Sequence, residues 1–377
     1  MSDSLRILAR PAAKSRSQNP YTWLLYSRLR ERGVTVDEYR LPRALFGRYD
    51  VCHVHWPEST FNATLPEALV TTQSLLFAAD RLRSRGAKLV WTAHNLTAHE
   101  RRFPRAEAAF WRSFLRRVDA FISLSESAAD AVRERFPELA SRPSFVVPHP
   151  HYRGEYPDGL ARTQARAALD LPQDAQVLLF FGRVMQYKNV PALIEVVRAL
   201  PERVLGQPVV LVVAGRAKDA AVERAVRLAA QADPRIRLDL QHVETAAVQR
   251  YFRAANLVVL PYREILNSGS AVLALSFDRP VLLPRLGAGL DLARTVGSNW
   301  VQLFDQLTPE LLQLALAQAS ALPSVTDGRQ LAALDPARVA ERTLAAFAEL
   351  SGKSSLRSVA SAESPAVRLA AEQPWRV

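Results

Sequence analysis

Short apolar runs recur along the chain, and they alternate with segments in which apolar residues repeat every three or four positions. One run, at 177–181, is typical of a strand buried on both faces of a parallel sheet. Gly182 ends this run, and a helical pattern opens at Pro191. Strands that alternate with helices predict an α/β fold with a parallel, doubly wound sheet.

The same alternation occurs twice, on either side of a proline-rich stretch at 144–157. The first series predicts strands at 5–10, 34–41, 49–58, 88–100 and 119–127, with helices at 21–33, 66–85, 106–118 and from 126 onwards. The second predicts strands at 177–182, 208–215, 235–240, 256–262 and 279–284, with helices around 190–200, 219–231, 244–254 and 269–277.

Two such series predict two facing Rossmann-like domains, at 1–153 and 154–335. A further helix is predicted at 336–351, and the Ser- and Ala-rich residues 352–377 lack an apolar period and predict a disordered tail. Ligands of doubly wound sheets bind beyond the carboxyl ends of the strands. The polar residues that follow the predicted strands would therefore line one shared cleft.

Composition narrows the class of protein. The chain of 377 residues has a single cysteine, Cys52, which excludes an internal disulfide and favours a reducing cytoplasm. The first residues lack the apolar region of a signal peptide, and no window has the roughly 18 consecutive apolar residues of a membrane span. The net charge of +12 favours anionic partners such as lipid head groups, nucleic acid or phosphorylated substrates, unless it reflects only a GC-rich genome.

Three predicted helical segments mix arginine with aromatic residues or leucine, at 21–32, 75–85 and 110–117. This composition is typical of helices that lie on an anionic membrane surface. The alternative is that the apolar residues pack on the sheet while the arginines are solvated. Binding of nucleic acid usually requires aromatic residues on a basic sheet face. Here the aromatic residues lie on predicted helices, so nucleic acid is not an expected partner.

Two loops of the second domain have the composition of anion sites. Arg183 and Lys188 lie between a buried strand and a helix start, where helix N–H groups and two cations can face an anion. Asn267, Ser268, Gly269 and Ser270 open another helix after a strand, and Gly269 permits close backbone approach. Each loop also has a plain structural interpretation, as a solvated turn or as an N-cap.

Together these loops resemble the C-terminal, nucleotide-sugar domain of GT-B glycosyltransferases. The segments in the same order are FGRVMQYKN, LVVAGR, the turn at His242 and Val243, ANLVVLPYRE, NSGS and DRPVL. In the large retaining family of that fold, a Gly-Arg-x5-Lys loop grips the donor diphosphate, and Gly182, Arg183 and Lys188 match it. That family also has a pair of glutamates spaced E-x7-E. Glu264 matches the first, but the second position holds Val272, which argues against an ordinary retaining member.

The N-terminal half resembles family GT94 of inverting GT-B enzymes. The segments that carry this resemblance are NPYTWLLYSRL, YDVCHVHWPE, TAHNLTAHE and HPHYR. The resemblance implies a GDP-mannose donor, inversion at the anomeric carbon, a polyprenyl-diphosphate-linked oligosaccharide acceptor of exopolysaccharide synthesis, and no required metal or other cofactor. It assigns the acceptor to the first domain and the nucleotide sugar to the second, at the cytoplasmic face of the membrane. The residues expected to contact the acceptor are Asn19, Tyr21, His55, Trp56 and His99.

Inversion requires a general base for the attacking hydroxyl. We expect Glu58 in this role, because Trp56 and Pro57 beside it would partly desolvate the carboxylate, with Glu100 as the second choice. His94 is a further candidate, although the corresponding histidine of related GT-B enzymes binds the donor sugar or phosphate. The histidines at 53, 55, 94 and 99 match no standard zinc spacing, so no metal site is expected.

Two other functions stay open on the sequence alone. The first is another GT-B reaction, either a retaining GT4-like transfer from a different nucleotide sugar or a sugar-nucleotide epimerisation. The second is a non-catalytic GT-B fold that binds anionic lipid. The missing second glutamate argues against retention. The intact Arg183, Lys188 and NSG loop argue against a degenerate fold.

Overall fold

The computed structural model describes residues 4–14, 16, 19–96, 102–231 and 233–353. The chain divides into two compact units. The N-terminal unit contains the described residues up to Leu124, Val132–Val147 and those from Pro336 onwards, and the C-terminal unit contains Ser125–Ala131 and Pro148–Asp335.

The N-terminal unit is built on a six-stranded parallel sheet. Its strands in chain order are β1 (Arg6–Arg10), β2 (Thr35–Glu38), β3 (Val51–His55), β4 (Lys88–Thr92), β5 (Ala120–Ser123) and β6 (Ser144–Val146). They are arranged β2-β1-β3-β4-β5-β6, and every neighbouring pair is parallel. Strand β3 is buried along its whole length and β4 from Leu89 onwards, as expected for a parallel sheet with helices on both faces.

Helices connect these strands in the order expected for a doubly wound sheet. They are α1 (Tyr21–Glu31), α2 (Leu41–Phe46), α3 (Leu65–Arg83), α4 (Pro104–Leu115) and α5 (Glu126–Arg135), with short 3-10 helices at Pro57–Asn62 and Pro137–Leu139. Helix α3 begins with a capping box, in which the Thr64 side chain accepts from the first turn and Glu67 accepts from the Thr64 N–H at 3.0 Å.

The C-terminal unit is built on a second parallel sheet. Its strands are β7 (Gln176–Phe181), β8 (Arg203–Val204), β9 (Gln207–Ala214), β10 (Ile236–Asp239), β11 (Leu257–Val259), β12 (Val281–Pro284) and β13 (Val301–Phe304). The order is β10-β9-β7-β11-β12-β13, and the short β8 pairs with β9 antiparallel. The structure confirms the prediction of an α/β fold with parallel sheets in two Rossmann-like domains.

The helices of this unit lie between its strands or follow the last of them. They are α6 (Arg162–Ala167), α7 (Val190–Arg198), α8 (Ala220–Ala230), α9 (Val248–Ala254), α10 (Gly269–Ser276), α11 (Gly287–Val296) and α12 (Pro309–Ser320), with 3-10 helices at Gln186–Lys188, Thr245–Ala247 and Arg329–Leu334.

The last described helix, α13 (Pro336–Ser351), belongs to the N-terminal unit. Its apolar side chains, among them Val339, Leu344 and Phe347, join the core that α1 and the sheet form. Lys353, just after the helix, pairs with Asp50 at 2.9 Å. The sequence analysis placed 336–351 in a segment of its own, and the 3.6-residue spacing of its apolar residues did not reveal which unit it covers.

The change between the units falls after Val147 and not after residue 153. The Val147 N–H donates to the Ser123 carbonyl at 2.9 Å, so the chain still follows the N-terminal sheet at this point. The His151 N–H donates to the Leu334 carbonyl at 2.8 Å, within the C-terminal unit. The predicted disordered tail at 352–377 lies almost wholly outside the described residues.

Several predicted strands are shorter than expected. The strand predicted at 49–58 ends at His55, because Trp56 takes a left-handed backbone conformation with φ 45° and a 3-10 helix follows. The strand predicted at 88–100 ends at Thr92. The sequence analysis also missed elements that are short or lie beyond its last predicted strand: α2, β6, α6, β8, α11, β13 and α12.

The three helical segments predicted to lie on a membrane bury most of their apolar residues. In α1, Tyr21, Leu25 and Leu29 are in the core, and in α4 Phe110 and Phe114 are buried. The alternative interpretation, in which these residues pack on the sheet, therefore describes most of them, but Phe77 on α3 is 62% exposed. Amphipathic helices of any doubly wound domain have this pattern.

Candidate functional site

A chain of buried hydrogen bonds runs through the N-terminal unit and ends beyond β4. Tyr26 Oη lies 2.8 Å from His53 Nδ1 and 2.8 Å from His55 Nε2. His53 Nε2 lies 2.7 Å from Thr92 Oγ1, and His55 Nδ1 lies 2.9 Å from His94 Nε2. We name Thr92, His53, Tyr26, His55 and His94, in this order, the histidine–tyrosine chain. All five side chains are buried.

Aromatic rings enclose the outer end of this chain. Trp56 stacks on His94 with ring centroids 4.1 Å apart, and Tyr21 meets His94 edge-on at 4.8 Å. Tyr21 also contacts His55 and Trp56 edge-on. A non-glycine residue in the left-handed region costs about 1–2 kcal/mol, so the conformation of Trp56 requires support from this packing. Such outliers cluster at functional sites.

Glu58 lies beside this enclosure and is a buried carboxylate. Its side chain is 4% exposed, and Asn95 Nδ2 donates to its Oε1 at 2.8 Å. Burial raises the pKa of Glu58 to about 7, against the opposing effect of the Asn95 hydrogen bond. A general base works best when its pKa is near the working pH, and the raised pKa of Glu58 meets this condition.

The other site residues predicted for the N-terminal half are only partly brought together by the structure. The Tyr21 N–H donates to Asn19 Oδ1 at 3.0 Å, so Asn19 fixes the start of α1. Tyr21, His55, Trp56 and His94 come together as described above. His99 and Glu100 lie outside the described residues. In the described part of the chain, no three His, Cys, Asp or Glu side chains are grouped so that they could hold a metal ion.

In the C-terminal unit, polar groups converge where β7 and β11 end. A Cβ added to Gly182 would lie 2.9 Å from Ser270 Oγ and 3.3 Å from Lys188 Nζ, so these three residues meet. Gly182 has φ 121°, which only glycine adopts readily. Ser268 and Ser270 both hydrogen-bond with the Tyr262 side chain. We name Gly182, Lys188, Ser268, Ser270 and Tyr262 the lysine–serine cluster.

Lys188 is the main electrostatic feature of this cluster. Its side chain is 7% exposed, and no carboxylate in the described residues pairs with it. Burial lowers its pKa, and the nearby Arg183 cation adds to this effect. The ammonium lies over the Tyr262 ring at 5.2 Å, which compensates for part of its lost hydration. A buried cation without a counterion favours an anionic ligand.

Helix α10 begins at this cluster, since Ser270 lies in its first turn. The Ala271 N–H donates to Ser268 Oγ at 3.1 Å, which makes Ser268 the N-cap. Gly269 has the Tyr152 hydroxyl close by, so that an added Cβ would lie 3.3 Å from it. His149 Nε2 lies 3.1 Å from that hydroxyl. Sequence reasoning did not single out Tyr262, His149 or Tyr152, although each lies in a segment that carries a resemblance.

Among the remaining predicted donor residues, Arg183 is close enough to Lys188 to lower the pKa of its ammonium group. Arg183 and Glu264 are exposed, and Asn267 is half-buried. His242 and Val243 follow β10, which is separated from β7 by β9. The His242 ring lies 3.8 Å from Glu244, and both side chains are exposed.

A polar cavity of about 570 Å³ opens at the other end of the C-terminal sheet. Gln176, Asn256 and Pro280, at the amino ends of their strands, line it together with Arg166 and Arg279. Both guanidinium groups donate to backbone carbonyls at the ends of helices and loops. These arginines stabilise the unit, and we assign the cavity no part in catalysis.

Comparison with known sequences agrees with this geometry in both units. Residues 7–151 match the profile of Glycosyltransferase Family 4, and residues 161–274 match that of Glycosyl transferases group 1. The two parallel sheets agree with this class of enzyme, and so does the anion site beyond the strands of the second sheet. The chain belongs to the GT-B glycosyltransferases.

One relative has a defined reaction. The chain is 32% identical over 311 residues to the GDP-mannose:glycolipid 4-beta-D-mannosyltransferase of Xanthomonas campestris pv. campestris. The aligned residues cover 81% of each chain. Among solved structures, it is similar to a glycosyltransferase from Rickettsia africae ESF-5, with a TM-score of 0.63, 14% identity, and 93% and 99% coverage of the two chains. Sucrose-phosphate synthase from Thermosynechococcus elongatus gives a TM-score of 0.61, 16% identity, and 95% and 100% coverage. These two structures support the fold alone.

Proposed function

We propose that this glycosyltransferase moves mannose from GDP-mannose to a polyprenyl-diphosphate-linked oligosaccharide, with inversion, in exopolysaccharide synthesis. The observation that carries the proposal is the 32% identity to the Xanthomonas mannosyltransferase, because the alignment covers 81% of this chain and therefore includes residues of both units. The donor, the acceptor and the stereochemistry are all part of the proposal.

The lysine–serine cluster would hold the donor diphosphate. Lys188 supplies a buried positive charge, the serine hydroxyls and the first N–H groups of α10 supply donors, and exposed Arg183 can swing onto the same anion. In the reaction, the bond between the anomeric carbon and the diphosphate oxygen breaks. The leaving GDP then gains negative charge, which these groups stabilise.

Glu58 would take the proton of the acceptor. The acceptor hydroxyl oxygen forms the new bond to the anomeric carbon, its proton passes to a Glu58 carboxylate oxygen, and GDP leaves with the electron pair of the broken bond. One displacement of this kind converts an α-linked donor into a β-mannoside. No metal or other cofactor is included in the proposal.

The product should therefore be the β-anomer. Retaining members of the fold use a pair of glutamates on the donor side, and only Glu264 matches here. Val272, at the position of the second glutamate, is 3% exposed within α10 and presents no carboxylate. The anomeric carbon–proton coupling constant of the product, measured by NMR, decides between the two outcomes. An α-product would overturn the proposed inversion.

The alternative is a retaining, GT4-like transfer from a different nucleotide sugar. The match of residues 7–151 to Glycosyltransferase Family 4 is the observation that favours it. The purified protein should be incubated with GDP-mannose, GDP-glucose, UDP-glucose and UDP-N-acetylglucosamine, each with a polyprenyl-diphosphate glycan. Transfer from GDP-mannose alone supports the proposal, and preferred transfer from a UDP-sugar contradicts it.

We also propose that the protein works at the cytoplasmic membrane surface, since its proposed acceptor is a lipid. No helix in the described residues is long and apolar enough to cross a bilayer. Instead, α2 and α3 expose large apolar side chains: Phe46 is 78%, Val70 68% and Phe77 62% exposed. Exposed arginines adjoin them, among them Arg48 and Arg81. An apolar face with a basic rim suits an anionic lipid surface.

Liposome flotation tests this surface. The wild type should float with anionic vesicles at low salt and less so at high salt, because salt screens the arginines. The double variant Phe46→Ser, Phe77→Ser should lose most of this binding. Leu228→Ser is the matched control, since Leu228 is 73% exposed on α8 of the C-terminal unit. Equal flotation of both variants, or no flotation of the wild type, would contradict the assignment.

A further inference from the structure

The histidine–tyrosine chain has a single direction of donation at any moment. Tyr26 Oη lies between two histidine nitrogens, at 2.8 Å from each, and has only one hydrogen to donate. If Tyr26 donates to one histidine, then it must accept from the other. Burial lowers the pKa of His53 to about 3 and holds that of His55 well below its usual range, so both rings are neutral. A neutral ring has one N–H, so a histidine that accepts at one nitrogen donates from the other. The direction of donation at Tyr26 therefore continues through His53 on one side and through His55 on the other.

The Thr92 hydroxyl decides which direction prevails. Thr92 is fully buried, and the only hydrogen bond of its hydroxyl in the described residues is the one at 2.7 Å to His53 Nε2. If His53 donated to Thr92, the hydroxyl hydrogen would be buried without an acceptor, which costs free energy. Thr92 therefore donates to His53, His53 to Tyr26, and Tyr26 to His55.

The consequence appears at the outer end of the chain. His55 has its proton on Nδ1 and donates it to His94 Nε2 at 2.9 Å. His94 Nε2 is then an acceptor, so the ring of His94 has its hydrogen on Nδ1. Protonation of Nε2 would reverse the bonds at least as far as Tyr26, and the buried hydroxyl hydrogen of either Tyr26 or Thr92 would then have no acceptor.

We propose that Thr92, His53, Tyr26 and His55 are positioning residues that hold His94 in the tautomer with hydrogen on Nδ1. In this state His94 Nε2 already accepts a hydrogen bond from His55, so His94 does not serve as the general base. The part of the proposal that concerns the general base rests on the proposed function. The part that concerns the tautomer does not.

This assignment removes an ambiguity among the candidate bases. His94 and Glu58 both belong to the predicted site, and both are buried. A ring whose second nitrogen already has a hydrogen cannot take the acceptor proton there, whereas the Glu58 carboxylate can.

The tautomer can be observed without any substrate. Protein labelled with ¹⁵N-histidine gives long-range proton–nitrogen spectra that distinguish a protonated from a bare ring nitrogen. We expect hydrogen on Nδ1 for His53, His55 and His94, with single-histidine variants providing the assignments. A bare Nδ1 and a protonated Nε2 on His94 would overturn the proposal, even if the protein proves to be a mannosyltransferase.

Matched variants test the chain itself. Thr92→Val removes the hydroxyl at nearly constant volume, and Thr92→Ser keeps it. Tyr26→Phe removes the central hydroxyl alone. Thr92→Val and Tyr26→Phe should mix the tautomers of His94 and lower kcat about tenfold or more, as wrong tautomers do in other enzymes. Thr92→Ser should restore both.

GDP affinity separates these effects from damage to the donor site. It should stay unchanged in all three variants, because Thr92 and Tyr26 belong to the N-terminal unit. A purely structural role would lower Tm in Thr92→Val and Tyr26→Phe but leave the tautomer of His94 as in the wild type, and that result would contradict the proposal. If no sugar is transferred by any form of the protein, the proposed function fails while the spectra still decide the tautomer.

Discussion

At the scale of single residues, Glu58 has a pKa far from its usual value for a clear physical reason. Burial raises the pKa from 4.5 to about 7, because the low-dielectric surroundings destabilise the carboxylate. Its charged form is needed to accept a proton. We therefore expect kcat, measured with saturating GDP-mannose, to rise as the pH increases through about 7.

Glu58→Gln keeps the size of the side chain but removes the proton acceptor. Turnover should fall roughly 100-fold or more and lose its rise near pH 7, while GDP affinity is kept. Near-normal turnover in this variant would exclude Glu58 as the base. In that case Glu100→Gln, which changes a residue outside the described part of the chain, becomes the next variant to measure.

The same pKa predicts how stability depends on pH. In the folded protein Glu58 keeps its proton between about pH 4.5 and 7, whereas in the unfolded chain it has lost it. The folded state binds more protons in this window, so the contribution of Glu58 to the free energy of unfolding falls as pH rises. Glu58→Gln should therefore be stabilised relative to wild type more at pH 8 than at pH 4.5, as urea denaturation can measure.

Lys188 and Arg183 should contribute unequally to donor binding. Lys188 is buried and Arg183 is exposed, so the charge of Lys188 is screened less by water and salt. We expect Lys188→Ala to weaken GDP binding by at least tenfold and Arg183→Ala by a smaller factor, in calorimetric titrations of folded protein. Unchanged GDP affinity in both variants would contradict the assignment of the diphosphate site.

At the scale of elements, the turn after β7 requires glycine for two independent reasons. Gly182 has φ 121°, and an added Cβ would lie 2.9 Å from Ser270 Oγ and 3.3 Å from Lys188 Nζ. Gly182→Ala should therefore displace two groups of the lysine–serine cluster and weaken GDP binding, in addition to its cost in stability.

Gly206→Ala provides the matched control for this substitution. Gly206 lies in the turn between β8 and β9 with φ 75°, and nothing lies within 4 Å of an added Cβ. Alanine at position 206 costs about 1–2 kcal/mol for its left-handed backbone, and at position 182, where φ is 121°, it costs at least as much. Only Gly182→Ala should change GDP affinity. Equal GDP affinities of the two variants would show that the turn does not shape the site.

The elements also show where sequence reasoning succeeds and where it stops. Buried parallel strands are short apolar runs, so the pattern correctly placed Glu58, His94 and Lys188 just after strands of the two sheets. Their roles in the site stay predictions. The partners of these residues were not found. Thr92 and Tyr26 lie far apart in sequence on a strand and a helix, and only packing brings them to His53.

At the scale of the whole molecule, α13 closes the core of the N-terminal unit. Phe347 is fully buried there, and its ring meets His53 edge-on at 5.0 Å. Phe347→Ala should lower the free energy of unfolding by about 3–5 kcal/mol. Hydrogen exchange should quicken in α1 and β1 but not in β7 and β9, which belong to the other unit.

An exposed leucine gives the comparison for this prediction. Leu314, on α12 of the C-terminal unit, is 55% exposed, and Leu314→Ala should change stability by less than about 0.5 kcal/mol. If Phe347→Ala were equally mild, or if it quickened exchange in both units alike, then α13 would not be specific to the N-terminal core.

The position of α13 also sets the order in which the two cores can be completed during synthesis on a ribosome. The polypeptide emerges from its amino end, and domains usually fold in that order. Here the strands of the first unit emerge early, but the helix that covers their core is made only after the whole second unit. The second unit can therefore reach its native state first. Until α13 is made, part of the apolar surface of the first unit stays uncovered and accessible to chaperones.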